Sequence, residues 1–258
     1  MKLNEVYEFS YNYLVEISKD YVTKEQINDF ISNPDTRNCS TFEDAFELGM
    51  AILQNFRSLR NVIKFAERKE DIKKEIRFPN LDDISKLDPV ELSNVFIKKY
   101  NANGKCDWVN YCKGIVSMAK FLNGFKSYDE FKALCNLFDT NVKSRAAFAL
   151  YLKERIHNMG FAMACNWLKE LGYSSYAKPD THMLDICIAL GVIEEKKQLL
   201  DCFEEMDRIA TLGGVTPYKL DKVWWLICSG NYYRYKIQLP KTYKEDFITK
   251  LKNKIEKY

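Results

Sequence analysis

Two histidines, six prolines and ten glycines in 258 residues set the first limits. So few glycines and prolines exclude collagen-like and low-complexity architectures. The two histidines are far apart, and none of the eight cysteines forms a Cys-x-x-Cys pair. A structural zinc or an iron–sulfur cluster therefore has no donor set to rest on. No run of about 18 apolar residues occurs, so no membrane-spanning helix is expected. The opening Met1–Tyr13 is polar, without an apolar core, and no secretory signal is expected. An even cysteine count invites a disulfide framework. However, Cys39, Cys106, Cys112, Cys135, Cys165, Cys187, Cys202 and Cys228 are scattered, mostly within apolar helical patterns. Buried, reduced thiols in a cytoplasmic protein are the expectation. A strong charge bias is also missing. The net charge of +3 neither demands nor excludes a nucleic-acid partner.

What is present is an ordinary globular balance, 47% hydrophobic and 29% charged, in a length that suits one large domain or two small ones. The periodicity is helical almost throughout. Phe42, Ala45, Phe46, Met50, Leu53 and Phe56 recur at three- and four-residue steps, as one apolar stripe of a helix does. Val109, Cys112, Ile115, Val116, Ala119 and Leu122 repeat the pattern, as do Leu199, Cys202, Phe203, Met206 and Ile209. Thr23 with Gln26 forms a capping box, and Pro89 with Glu91 opens a helix after Asp88. Gly124, Gly172 and Gly230 follow periodic runs as stop signals. The pattern predicts about eleven or twelve helices, with Tyr232–Leu239 the one candidate for extended chain.

The division read from the sequence has three parts. Residues 1–85 form an N-terminal helical region that can contribute to a second lobe. Residues 86–240 form a helical body, and residues 241–258 a basic amphipathic helix. Arg77–Asp88, bracketed by Pro79 and Pro89, is the longest non-periodic stretch and reads as a loop. The plain reading of the basic helix is a solvated face packed on the body.

Leu152–Leu190 carries the most information. Ala146–Ile156 is helical by period, His157-Asn158-Met159-Gly160 breaks it, and Phe161–Leu171 is helical again, with small Ala162, Ala164 and Cys165. A tight turn between two helices leaves backbone N–H groups unpaired at the second helix's start, and such a start is an anion site suited to phosphate. Gly160 permits positive φ and close backbone approach. A polar loop then leads to Pro179-Asp180-Thr181-His182 and a new apolar helix. Asp180 reads first as an N-cap, worth about 1 kcal/mol.

Ile156–Ala164 (Ile-His-Asn-Met-Gly-Phe-Ala-Met-Ala) resembles the helix-hairpin-helix motif of the endonuclease III superfamily of DNA glycosylases, whose usual form is Leu-Pro-Gly-Val-Gly-x-Lys-Thr-Ala. Pro179–His182 resembles that family's Val-Asp-Thr-His, which holds the catalytic aspartate. The 18 residues from Ala162 to Asp180 match the family's separation. The close resemblance spans about 40 residues (hairpin 146–171 and aspartate loop 173–182), with a looser match at Asp221–Gly230. It implies an all-α, two-lobed fold with the active cleft between lobes.

The resemblance implies Asp180 as the catalytic carboxylate, and a phosphate held by the hairpin at Asn158, Met159, Gly160, Phe161 and Ala162. The partner implied is double-stranded DNA carrying a modified base, bound by a monomer. Three departures matter. Asn158 stands at the first hairpin glycine, and Asn tolerates left-handed φ. Ala162 stands at the lysine that forms a Schiff base in bifunctional members, which implies hydrolysis of the glycosidic bond without lyase activity. The four-cysteine cluster of some members is missing, so no iron–sulfur cofactor is expected. The family's hairpin carbonyls can hold a monovalent or similar cation, with no metal bound by side chains.

Ala51–Gln54 resembles a segment that fills the gap left by the flipped base. Gln54 or Asn55 is the candidate, against the plain reading of a helix-surface amide. Lys153, Lys169 and Lys178 flank the motif and read as solvated. Lys178 is a candidate DNA contact or a replacement amine. His182 reads as structural, its ring bonded to the loop or backbone. Base excision repair and phage defence by excision of modified phage bases both fit, in a cytoplasmic, nucleoid-associated setting. A non-catalytic helix-hairpin-helix DNA-binding protein is the alternative, and a helical scaffold the third class.

Overall fold

The three- and four-residue apolar periods become helices over most of the chain. A computed structural model describes residues 1–32, 39–56, 59–100 and 105–255, without the side chains of residues 105 and 106. A 3-10 turn (Leu3–Glu5) leads into α1 (Val6–Ser18) and α2 (Lys24–Ser32). There follow α3 (Phe42–Leu53), α4 (Leu59–Ile63), α5 (Phe65–Glu75), α6 (Leu81–Ser85), α7 (Pro89–Tyr100) and α8 (Lys105–Leu122). Next come α9 (Tyr128–Phe138), α10 (Val142–Arg155) and α11 (Phe161–Glu170). The last four are α12 (Thr181–Ala189), α13 (Leu199–Leu212), α14 (Pro217–Ser229) and α15 (Tyr243–Lys254). Among the described residues the one sheet is an antiparallel ribbon of β1 (Asn231–Tyr232) and β2 (Ile237–Gln238). The fold is all-α, and the stretch expected to be extended is this minimal hairpin.

The predicted helix boundaries have their chemistry in place. Thr23 and Gln26 exchange hydrogen bonds of 2.8 and 3.2 Å at the start of α2. Asp88 Oδ1 accepts from Val90 and Glu91 N–H at 2.8 Å each, and Gly230 closes α14 in the left-handed region. The expected loop Arg77–Asp88 instead contains α6, capped by Asn80 Oδ1 accepting from Asp83 N–H. Its single apolar pair, Leu81 and Ile84, is too short to show a period, so only burial against the core reveals it.

The chain forms two compact units: Met1–Thr36 together with Gly172–Tyr258, and Arg37–Leu171. The sequence-based boundaries at 85 and 240 fall within these units. In the first unit α14 is the hub, packed by α1, α2, α12, α13 and α15. Its Trp224 Nε1 donates to Ser10 Oγ at 3.0 Å, tying it to α1. Helix α15 buries Phe247 and Leu251, pairs Lys244 with Asp185 of α12 and leaves Lys250, Lys252 and Lys254 outside, the packed-on-body arrangement. In the second unit α8 is the hub for α3, α4, α6 and α7. Trp108, Tyr111, Cys112, Ile115, Met118, Ala119 and Leu122 of α8 are fully buried, each large apolar side chain contributing about 1.5–3 kcal/mol. Trp167 Nε1 donates to the Ala45 carbonyl at 3.0 Å, joining α11 to α3.

Cys112, Cys135, Cys165, Cys187, Cys202 and Cys228 are buried and Cys39 half-buried, with no disulfide among the described residues; the Cys106 side chain lies outside them. Burial pushes the Cys112 thiol far above its ordinary range, as for inert core cysteines. Among the described residues no helix is long and apolar enough to cross a membrane.

Candidate active site

The second unit carries the helix-hairpin-helix. α10 ends at Arg155, and α11 begins at Phe161 with Gly160 as its N-cap. The left-handed residue of the turn is Asn158, at φ 62°. Gly160 is not left-handed, contrary to the conformational reason expected for it: it sits at φ −67°, ψ 163°, where any residue is at ease. A Cβ added there meets no atom within 4 Å, so nothing inside the protein requires glycine. Open space over a helix N-terminus is what an external ligand needs. The N–H groups of Met163 and Ala164 return to the Gly160 carbonyl at 2.9 Å each. Gly160 provides no side-chain cap, and the start of a helix is an anion site. Ala162 lies in this first turn and brings no amine.

The turn is held by residues the sequence did not single out. The His157 N–H donates to Ser117 Oγ at 2.8 Å, and Ser117 Oγ–H donates to the Gly114 carbonyl at 3.0 Å. A Cβ on Gly114 would lie 3.0 Å from the His157 carbonyl oxygen and 3.1 Å from Leu53. Gly114 therefore lets both the turn and the end of α3 close onto α8. Gly114→Ala gains about 1 kcal/mol in helix propensity but pushes the turn outward. Its thermal midpoint should stay within a few degrees of wild type in a melting experiment, the two effects opposing one another.

Asp180 belongs to the first unit and is the N-cap of α12. Oδ1 accepts from His182 N–H at 3.0 Å and Met183 N–H at 3.4 Å. Oδ2 lies 3.3 Å from Lys178 Nζ, with the Asp180 side chain 20% exposed. The capping role is thus real and uses one oxygen. The other faces Lys178. The loop is set by Asp221 of α14, almost wholly buried, whose Oδ2 accepts from Lys178 N–H at 3.0 Å. Further along α12, Asp185 bridges Lys196 and Lys244 at 2.6 Å each, and both lysines hold its carboxyl below the usual range against the opposing effect of burial.

His182 differs from expectation. Its Nδ1 is buried without a hydrogen-bond partner among the described residues, and burial lowers its pKa against the pull of Asp180. Lys169 is not solvated either: its side chain is 5% exposed, with Nζ 3.6 Å from Glu170 Oε1. Lys153 is solvent-exposed as read. Of the two gap-filling candidates, Gln54 has its amide engaged internally. Its Nε2 donates to the Ala51 carbonyl at 3.1 Å and its Oε1 accepts from Phe65 N–H at 3.0 Å, joining α3 to α5. Asn55 is exposed. Among the described residues no group of three or more His, Cys, Asp or Glu could hold a metal ion.

Neither a protein-family profile nor a curated protein sequence matches the chain. Solved structures with the same fold include the 8-oxoguanine glycosylase/lyase of Methanocaldococcus jannaschii, in complex with a 15mer DNA containing 8-oxoguanine. It is 22% identical with a TM-score of 0.53, over 83% of this chain and 94% of that chain. The 8-oxoguanine DNA glycosylase of Thermotoga maritima is also 22% identical with a TM-score of 0.53, over 86% of this chain and 97% of that chain. The helical architecture is that of these DNA glycosylases.

Proposed function

We propose that the chain is a DNA glycosylase that hydrolyses the N-glycosidic bond of a flipped, damaged or modified base. The observation that carries this reading is the state of Asp180, an accessible carboxylate fixed by two amides and one ammonium at a helix start. Its place in the chain, 18 residues after the Ala162 slot of an open hairpin, in a fold shared with two DNA glycosylases, supports it.

The chemistry follows from these groups. The hairpin amides around Gly160 hold a backbone phosphate of the damaged strand. The target base leaves the duplex at a cost of a few kcal/mol. As the bond from C1′ to the base nitrogen breaks, its electron pair leaves with the base and positive charge grows on the sugar. Asp180 Oδ2 stabilises that charge and accepts a proton from the water that attacks C1′. Asn55, exposed at the end of α3, is the better of the two candidates for filling the vacated space. A cation at the turn would have to rest on backbone carbonyls, of which that of Ile156 already accepts from Met159 N–H at 3.1 Å.

The enzyme is monofunctional in this reading. Ala162 has no amine, and Lys178 Nζ is paired with Asp180 Oδ2 at 3.3 Å. Borohydride should therefore trap no covalent adduct with lesion DNA. Efficient trapping, lost in Lys178→Gln, would instead make Lys178 the nucleophile and the enzyme a lyase.

The deciding experiment measures free base released from duplexes that each carry one modified base. The panel begins with 8-oxoguanine, the lesion of both structural neighbours, and extends to alkylated purines, deaminated bases, modified cytosines and modified phage genomic DNA. Release from phage DNA alone would place the activity in defence, and release from damaged duplexes in repair. DNA binding without release from any substrate would leave a non-catalytic module.

A further inference from the structure

Beside the hairpin, on the same unit, lies a recess of about 400 Å³ lined by Ser117, Lys120, Phe121, Phe125, Tyr151 and Arg155, within the size range of small-ligand sites. Ser117 is the residue that holds the turn through His157 N–H, so the recess adjoins the phosphate-binding segment directly. Its walls are aromatic. Phe121 meets Tyr151 edge-on at 6.2 Å and Phe125 at 5.3 Å, and Tyr151 remains 39% exposed. The Arg155 guanidinium lies 5.2 Å over the Tyr151 ring. Neither Lys120 nor Arg155 has an acidic partner among the described residues.

Aromatic faces joined to uncompensated cations are the combination that binds single-stranded nucleic acid, the rings stacking on a base and the cations taking its phosphate. A purely apolar ligand would leave both charges unmatched, and a free anion would make no use of the rings. We propose that this recess binds an unpaired nucleotide of the DNA held by the hairpin, its base against Tyr151 and Phe121 and its phosphate on Lys120 and Arg155. The proposal rests on the DNA-glycosylase reading and extends it to a substrate class: lesions lying near a single-stranded tail or gap.

The test uses the full chain carrying Asp180→Asn, so that substrate is not consumed. Anisotropy titrations at one fixed salt concentration compare a blunt lesion duplex with duplexes carrying a short unpaired stretch on either side of the lesion. At least one such duplex should bind about tenfold tighter. That gain should vanish in Tyr151→Leu and in the Lys120→Gln/Arg155→Gln pair, while the affinity for blunt duplex stays within about twofold. The charge pair serves as the second variant should loss of the Tyr151 ring disturb folding. No preference for unpaired DNA overturns the proposal. So does an equal loss on blunt and tailed DNA, which would make the cations ordinary duplex contacts. Base release by wild type without any tail preference sinks the recess alone, whereas tail binding without release of any base sinks the glycosylase reading alone.

Discussion

Asp180→Asn should abolish base release while leaving the fold intact. The two roles of this side chain sit on different oxygens. Oδ1 caps α12 by accepting from His182 and Met183 N–H, and Oδ2 faces Lys178 in a side chain that is 20% exposed. Asparagine keeps an acceptor for the cap and removes the negative charge that the proposed chemistry sets against the sugar. Loss of a positioned acid–base group lowers the chemical rate by about 10² to 10⁴, and single-turnover base release would read that directly. Thermal melting of the same variant should shift by no more than about a degree. Asp180→Ala, which loses the cap as well, should lose about 1 kcal/mol of stability in addition to the activity. An asparagine variant that releases base within about threefold of the wild-type rate would remove Asp180 from the chemistry and leave it a helix cap.

The second large effect is at Gly160. Its φ of −67° accepts any residue, and the space where a Cβ would go is empty to 4 Å. As N-cap of α11 it contributes no acceptor. Gly160→Asp supplies one, and an aspartate cap exceeds glycine by a few tenths of a kcal/mol. In the proposed complex the same carboxylate takes the place of the phosphate and repels it. Stability and binding should therefore move in opposite directions: a thermal midpoint equal to or above wild type, and DNA affinity lower by at least about tenfold. The slope of log K against log salt should become shallower by about one. Gly160→Ala should be nearly silent in the melt and intermediate in binding. Undiminished affinity in the aspartate variant would show that this turn does not hold the strand.

The features legible in the sequence were those that a few neighbouring residues settle among themselves. Thr23 with Gln26, Asp88 with Pro89, and Asp180 ahead of an apolar run each cap a helix by bonds to amides two or three positions away. The break at His157–Gly160 is legible too, since Asn is among the residues that take the left-handed conformation. Misreadings came where distance along the chain and distance in space part company. Lys169 reads as a surface lysine and is buried. Gln54 reads as a free helix-surface amide, yet its oxygen is taken by Phe65 N–H, eleven positions on.

Residue order and short-range chemistry thus determined the longer helices, their caps, the hairpin and the candidate carboxylate, because bonds that span one turn depend on little else. Tertiary structure alone decided that α1 and α2 join α14 rather than the helices that follow them. It also decided that Ser117 and Gly114, about forty residues upstream, seat the His157–Gly160 turn, and that no atom lies within 4 Å of a Cβ added at Gly160. Those outcomes depend on which apolar faces find one another when the chain returns on itself, and burial between remote segments leaves no periodic trace in either.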